Sequence, residues 1–265
     1  MSADSRRVIK RNLARLPDHG LALGATLLTY HRVGAGSPDE RDLAVADFTV
    51  QADELSNHEV IGVDAAVDRL ERGDASPSVV VTFDDGFGDV YEHAWPILQS
   101  RGLPFTLYLA TAYVGGTMHW DGSTAKAAGP GLSWHQISEM VDSGLCTVGN
   151  HTHTHVRPES LDANELDTCT SIIERKLGVI ARHFAYTWGI AVPPMEDELR
   201  QRFRSASTGE LGRNLPGDDL MRLRRVAVRR SDPLEFFRSK LAGQLRAEQA
   251  YERVVKVAKR VGVRA

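Results

Sequence analysis

Cysteine is scarce in this 265-residue chain, which has only Cys146 and Cys169. Two such residues, far apart and without metal-site spacing, exclude a disulfide scaffold and read as small buried side chains in a reducing compartment. Long apolar runs are missing too. Leu21 to Tyr30 is ten residues long and leads directly into His31 and Arg32, whereas a membrane helix needs about 20. Arg6, Arg7, Lys10, Arg11 and Arg15 precede it as basic residues precede a secretory signal, but no small-residue cleavage site follows. The segment therefore reads as a first buried strand after a short amphipathic helix, and the protein as cytoplasmic. No Pro- or Ser-rich linker and no internal repeat divides the chain.

A large net charge is also absent, yet the sum of −3 conceals an uneven distribution. Residues 1–20 carry five basic and two acidic side chains and residues 221–265 carry thirteen and four, which leaves −15 between them. The basic tail is interleaved with apolar residues, as a solvated helix face would be, so nucleic acid is not implied as a partner.

What the chain does have is alternation. After a turn-rich loop over residues 34–42, helical spacing over 48–58 and 63–72 gives way to a β-branched run at 78–83, helical spacing at 90–100 and a strand-like segment at 104–110. Residues 112–131 form a long glycine-rich loop, of a kind that is often functional. Leu132-Ser133 opens a helix through Val141, 145–148 is a short strand, and a helix over 164–177 ends at Gly178. Strand-like 184–186, helical 195–203, short buried 205–208, strand-like 223–228 and a helix over 234–245 behind a Ser231 cap complete the pattern. Repeated strand–helix units predict a parallel α/β fold, either an open sheet or a barrel.

Two clusters carry chemistry. Val79–Val81 and Thr82-Phe83 run into Asp84-Asp85-Gly86, two acids at the carboxyl end of a strand, where the active sites of such folds collect. Consecutive side chains there point in different directions, so one carboxylate can face a metal and the other a water or substrate. A simple strand end remains the alternative on these residues alone. The second cluster is His151-Thr152-His153-Thr154-His155. On an extended strand His151 and His155 would lie roughly 13 Å apart. On a turn they come within about 6 Å and can chelate together while His153 points elsewhere. A carboxylate and two imidazoles make an open metal site that activates water and polarises a carbonyl, with the second Asp free as general base. A serine-hydrolase reading is poorer, because the chain has no G-x-S-x-G elbow.

These motifs resemble those of the polysaccharide deacetylases of the NodB-homology type, carbohydrate esterase family 4. Thr82–Gly86 is similar to the first motif and His151–His155 to the second. Leu28–Val33, Leu132–Trp134 with Ser143-Gly144, Phe184–Tyr186 and Leu223–Val226 resemble the branch that includes the poly-N-acetylglucosamine deacetylases. The resemblance implies an irregular (β/α) barrel of about seven strands over residues 21–240, with residues 1–20 a basic helical extension and 241–265 a basic helical tail. It implies Asp84 as base, Asp85, His151 and His155 around one divalent metal (zinc first, with cobalt, nickel or iron compatible), and Thr152 in support. The implied substrate is an N-acetylated sugar.

Departures from the family matter as much. The third motif reads Ala185-Tyr186-Thr187-Trp188-Gly189, without the arginine that contacts the base in many members. No histidine follows His183 to serve as the late-motif acid, so His31 is the leading substitute. Tyr186, Trp188 and Trp120 are candidates to line a sugar site. The residues leave open an impaired saccharide-binding relative or a deacylase of a non-sugar amide.

Overall fold

The computed structural model describes residues 3–16, 22–120 and 128–260. Parts of the expected N-terminal extension, of the 112–131 loop and of the C-terminal tail lie outside these. Seven parallel strands form the centre: Ala25–Tyr30 (β1), Ser78–Phe83 (β2), Phe105–Leu109 (β3), Cys146–Asn150 (β4), His183–Ala185 (β5), Ser205–Ser207 (β6) and Arg225–Ala227 (β7). Their order is β6-β5-β4-β3-β2-β1-β7. The two edges approach each other through a parallel bridge between Ser207 and Leu223, with Leu223 N–H donating to the Ala206 carbonyl at 2.9 Å. The sheet is thus nearly closed, the irregular barrel expected from the sequence.

The strand sequences explain why they lie in the middle. Every residue of β1 and β2 is buried, and strands covered on both faces read as continuous apolar runs rather than as alternation. Gly149 on β4 shows how tight the interior is, since a Cβ there would come within 2.5 Å of the Tyr108 ring.

Around the strands lie helices Ala3–Leu13 (α1), Val45–Leu55 (α2), Val63–Glu71 (α3), Trp95–Ser100 (α4), Trp134–Asp142 (α5), Ala163–Leu177 (α6), Glu196–Arg202 (α7), Leu234–Leu241 (α8) and Arg246–Arg260 (α9). Ser133 and Gln136 close a capping box on α5, and α6 runs from an Asp162 cap to Gly178 at φ 69°. Three details differ from the sequence expectations. The segment expected as one helix over 90–100 starts as a π-helical turn at Val90–Ala94 before α4, because Pro96 has no N–H to continue the regular ladder. Ser231 does not cap α8. Its hydroxyl bonds Glu40 instead, and Pro233 occupies the cap position. Finally, the 34–42 loop is bracketed by a two-residue parallel ladder between Arg32–Val33 and Asp42–Leu43.

The first helix packs beside the last. Lys10, fully buried, donates to Asp232 at 2.6 Å and to Ser231 at 2.9 Å, with its ammonium 4.4 Å from the centre of the Tyr251 ring. Lys240 holds the other oxygen of Asp232 at 2.7 Å and also reaches Glu248 and the Ala227 carbonyl on β7. Next to this cluster, Arg230 binds the 34–42 loop through the Ser37 and Glu40 carbonyls. No helix among the described residues is long and apolar enough to cross a membrane.

Candidate metal centre and active site

The carboxyl ends of β2 and β4 deliver the two motifs to one place. Nε2 of His151 and of His155 lie 3.5 and 3.3 Å from Oδ1 of Asp85. One donor atom from each of the three residues falls within 4.8 Å of the others, and all three are buried. The chain turns after Asn150, as four-residue chelation requires. His153 points away, with its Nδ1 2.9 Å from the Thr111 hydroxyl.

This turn is held in several ways. Asn150 accepts from Thr152 N–H at 2.8 Å and donates to the Leu166 carbonyl and the Thr170 hydroxyl on α6. Nδ1 of His151 lies 2.8 Å from the Ala185 carbonyl, a contact that protonates Nδ1 and leaves Nε2 free to ligate. The His155 ring stacks on Trp120 with centroids 4.1 Å apart and lies T-shaped to Trp188, centroids 5.6 Å apart. Backbone strain is concentrated here. Among the described residues the non-glycine positions with left-handed φ are Asp85 (76°), Thr152 (65°), His155 (53°) and Trp188 (62°). Such conformations cost about 1–3 kcal/mol each and persist where the surroundings over-determine them.

Asp84 faces a different partner. Its Oδ1 accepts from Arg225 Nη1 at 2.7 Å, each side chain only 4% exposed, while Arg225 Nε donates to the Thr208 carbonyl at 2.8 Å. Burial pushes the Asp84 carboxyl up, but Arg225, followed by His151 and His31, outweighs it and holds the pKa below the ordinary value. The arginine missing from the third motif thus has a counterpart on β7. A signal for it existed: an arginine inside the strand pattern Leu223–Val228 is costly to bury without a partner. Asn150 was likewise missed.

Asp85 shows the same competition. Burial raises its pKa, but hydrogen bonds from His151 and His155, with the charges around them, more than reverse this, and the net position is well below normal. Burial pulls His155 down despite Asp85, whereas Asp85 and Asp84 lift His151 above its ordinary value. Two imidazoles and one carboxylate, held rigidly and open on one side, fit a divalent transition metal.

The open side is a cleft of about 350 Å³ lined by His31, Asp84, Asp85, Trp120, Trp188 and Arg225, with Arg41, Arg229 and others further along. Burial pushes His31 down to about 4, against the pull of Asp85 and Asp84. Thr152 is completely buried, but its hydroxyl has no hydrogen-bond partner among the described residues, so what it contributes to the turn is its backbone N–H on Asn150 rather than the side-chain support expected from the sequence. Tyr186 does not reach the cleft. It is 1% exposed in the core cluster with Phe184, Leu199 and Phe203, because it shares the strand parity of Phe184 and faces α7 rather than the barrel interior. Trp120 lines the cleft, but it is mostly buried as a cover over His155.

Residues 71–206 match the family model described as polysaccharide deacetylase. The chain is 26% identical over 171 residues to a poly-beta-1,6-N-acetyl-D-glucosamine N-deacetylase of Staphylococcus epidermidis. That match covers 58% of this chain and 57% of the relative, so the chain spans less than two thirds of that relative's length. Among solved structures, IcaB from Ammonifex degensii is 31% identical at a TM-score of 0.71, covering 84% of this chain and 97% of that one. A polysaccharide deacetylase from Bacillus cereus shares the fold, at 24% identity and a TM-score of 0.68 over 82% of this chain and 68% of that one.

Proposed function

The chain belongs to the polysaccharide deacetylase family, and we propose that it is a metal-dependent hydrolase that removes the N-acetyl group from an N-acetylhexosamine unit of a saccharide or glycoconjugate, releasing acetate. The observation that carries this reading is the pair of adjacent carboxylates with separate duties: Asp85 with the two imidazoles, Asp84 with Arg225 at the same cleft. Asp85, His151 and His155 would hold the ion, with zinc the first choice and cobalt, nickel or iron compatible with the donor set. When bound, such an ion acidifies a coordinated water and polarises an amide carbonyl.

The protein's own groups do the rest. Asp84, kept ionised by Arg225, takes the proton of the attacking water. Arg225 fixes the carboxylate's orientation through its second bond to Thr208. His31 shares the cleft with Asp84 and is uncharged at neutral pH. We assign it to pass a proton, received from Asp84, to the departing amine. Trp188 offers an aromatic face suited to a sugar ring. The impaired-enzyme alternative rested on two missing groups, and Arg225 supplies a partner for the base in place of one of them.

Acetate release from N-acetylated β-1,6-glucosamine oligomers, with divalent metals added, tests the assignment. Asp84→Asn is expected to lower kcat by about 10²–10⁴-fold while metal content stays at the wild-type level. Full turnover by that variant would sink the base assignment.

A further inference from the structure

The β7 side of the cleft carries more positive charge than deacetylation of a neutral sugar needs. Strand alternation puts Arg225, Ala227 and Arg229 on one wall, and the small Ala227 leaves the space between the two arginines open. Arg225 is committed to Asp84 and to the Thr208 carbonyl. Arg41, on the neighbouring loop, lays Nε and Nη2 on the two oxygens of Asp39 at 3.1 and 2.8 Å. Arg229 differs. The residue lines the cleft and is half-buried, and no hydrogen bond or ion pair of its side chain is found among the described residues.

The acid closest to it in sequence cannot neutralise it. Asp232 accepts the Arg229 backbone N–H at 2.9 Å, but its two oxygens are already held by Lys10 and Lys240. With a divalent ion on Asp85 and the two imidazoles, the cleft would be net positive. A half-buried guanidinium without a counter-charge loses solvation and gains nothing in return, whereas a phosphate or carboxylate matches its planar fork with two parallel charge-assisted bonds. Hydroxyls and acetamides of a neutral polymer offer no such match.

We propose that the substrate saccharide carries an anionic group, phosphate or carboxylate, close to the reacting acetamide, and that Arg229 is the specificity-determining residue that receives it. This rests on the deacetylase reading above. The backbone of residues 229–232, anchored through Asp232 on the buried lysine pair, fixes the point from which the Arg229 side chain enters the cleft.

The test compares acetate release from three probes: N-acetylglucosamine disaccharide, the same sugar bearing a 1-phosphate, and a disaccharide in which N-acetylglucosamine is linked to a uronic acid. The wild type is expected to favour at least one anionic probe by about tenfold in kcat/KM, the gain of one charge-assisted pair, and the better anion identifies the source of the charge. Arg229→Gln is expected to bring that ratio near one and Arg229→Lys to restore part of it. The ratio should also shrink as salt rises from 50 to 500 mM (roughly a threefold shorter screening length). Equal kcat/KM for neutral and anionic probes, or a preference that survives Arg229→Gln, overturns the proposal. Should no probe release acetate, the hydrolase reading rests on the β-1,6-glucosamine oligomers alone and fails if they too stay intact. The dissociation constants of N-acetylglucosamine 1-phosphate and N-acetylglucosamine then decide this inference: tighter phosphate binding lost in Arg229→Gln supports it, and equal binding refutes it.

Discussion

Replacing Arg225 by Gln would leave Asp84 as a carboxylate with almost no water around it, since both partners are only 4% exposed. Removing one member of such a pair costs about 3–5 kcal/mol. A ceiling follows independently from proton linkage. The variant can always protonate Asp84, and doing so at pH 7 from the ordinary pKa of 3.8 costs about 4 kcal/mol. His151 and His31 still face the carboxylate, so about 3 kcal/mol at pH 7 is the expected loss. At about 2–4 °C per kcal/mol for a chain of this size, the midpoint of thermal unfolding falls by roughly 10 °C. The sign of the pH dependence is the sharper readout. In the wild type the folded pKa of Asp84 is depressed, so its contribution is present above the unfolded value of 3.8 and is lost as pH falls through the lower folded value. In Arg225→Gln burial prevails and the folded pKa lies above 3.8, so the destabilisation present at pH 7 fades as pH falls toward 4. The two proteins should therefore converge in acid. Thermal melts of metal-stripped protein at pH 7, 5.5 and 4, beside the Arg225→Lys control, measure this. A deficit equally large at pH 4 and pH 7 would refute the electrostatic reasoning and reduce Arg225 to a packing residue.

Further outcomes follow from the site and from the buried lysines. Stripping the protein with a chelator should abolish acetate release, with zinc or cobalt restoring it, and His151→Ala with His155→Ala should remove both bound metal and activity by elemental analysis and assay. Asn150→Ala deletes the three bonds that hold the ligand turn to itself and to α6, and should weaken metal affinity by about 10–100-fold in a competition titration. Asp232→Asn should cost about 3–5 kcal/mol at pH 7 in denaturant melts, because two buried ammonium groups lose their shared counter-charge. The folded pKa of Asp232 is depressed to about 2, through Lys240 and Lys10 and against burial. Its own contribution is therefore present above pH 4 and disappears as pH falls toward 2.

Local signals made much of the site readable. Asp84, Asp85, His151 and His155 sit within two short motifs, and the spacing of the imidazoles carries its own geometric argument. Alternation of strands and helices led to the barrel because parallel strands need crossover helices. Arg225 has its partner 141 residues away, a distance over which periodicity carries no information, so only the cost of burying an unpaired arginine in a strand marks it. Tyr186 was misplaced for the opposite reason: a motif position suggested the cleft, while strand parity with Phe184 already pointed to the core. Ser231 looked like a helix cap because serine favours that role, but a buried lysine and a glutamate compete for its hydroxyl.

The lysine–aspartate contact between Lys10 and Asp232 spans 222 residues, which has a consequence for biosynthesis. At about 5–20 residues per second, Asp232 is translated roughly 11–44 seconds after Lys10. For that interval the lysine has no counter-charge, and burying it alone would be unfavourable. Helix α1 must therefore wait in solvent while the strands are made, and dock only when the polypeptide that follows β7 arrives. That docking also immobilises residues 229–232 and, through Arg230, the loop that carries Arg41.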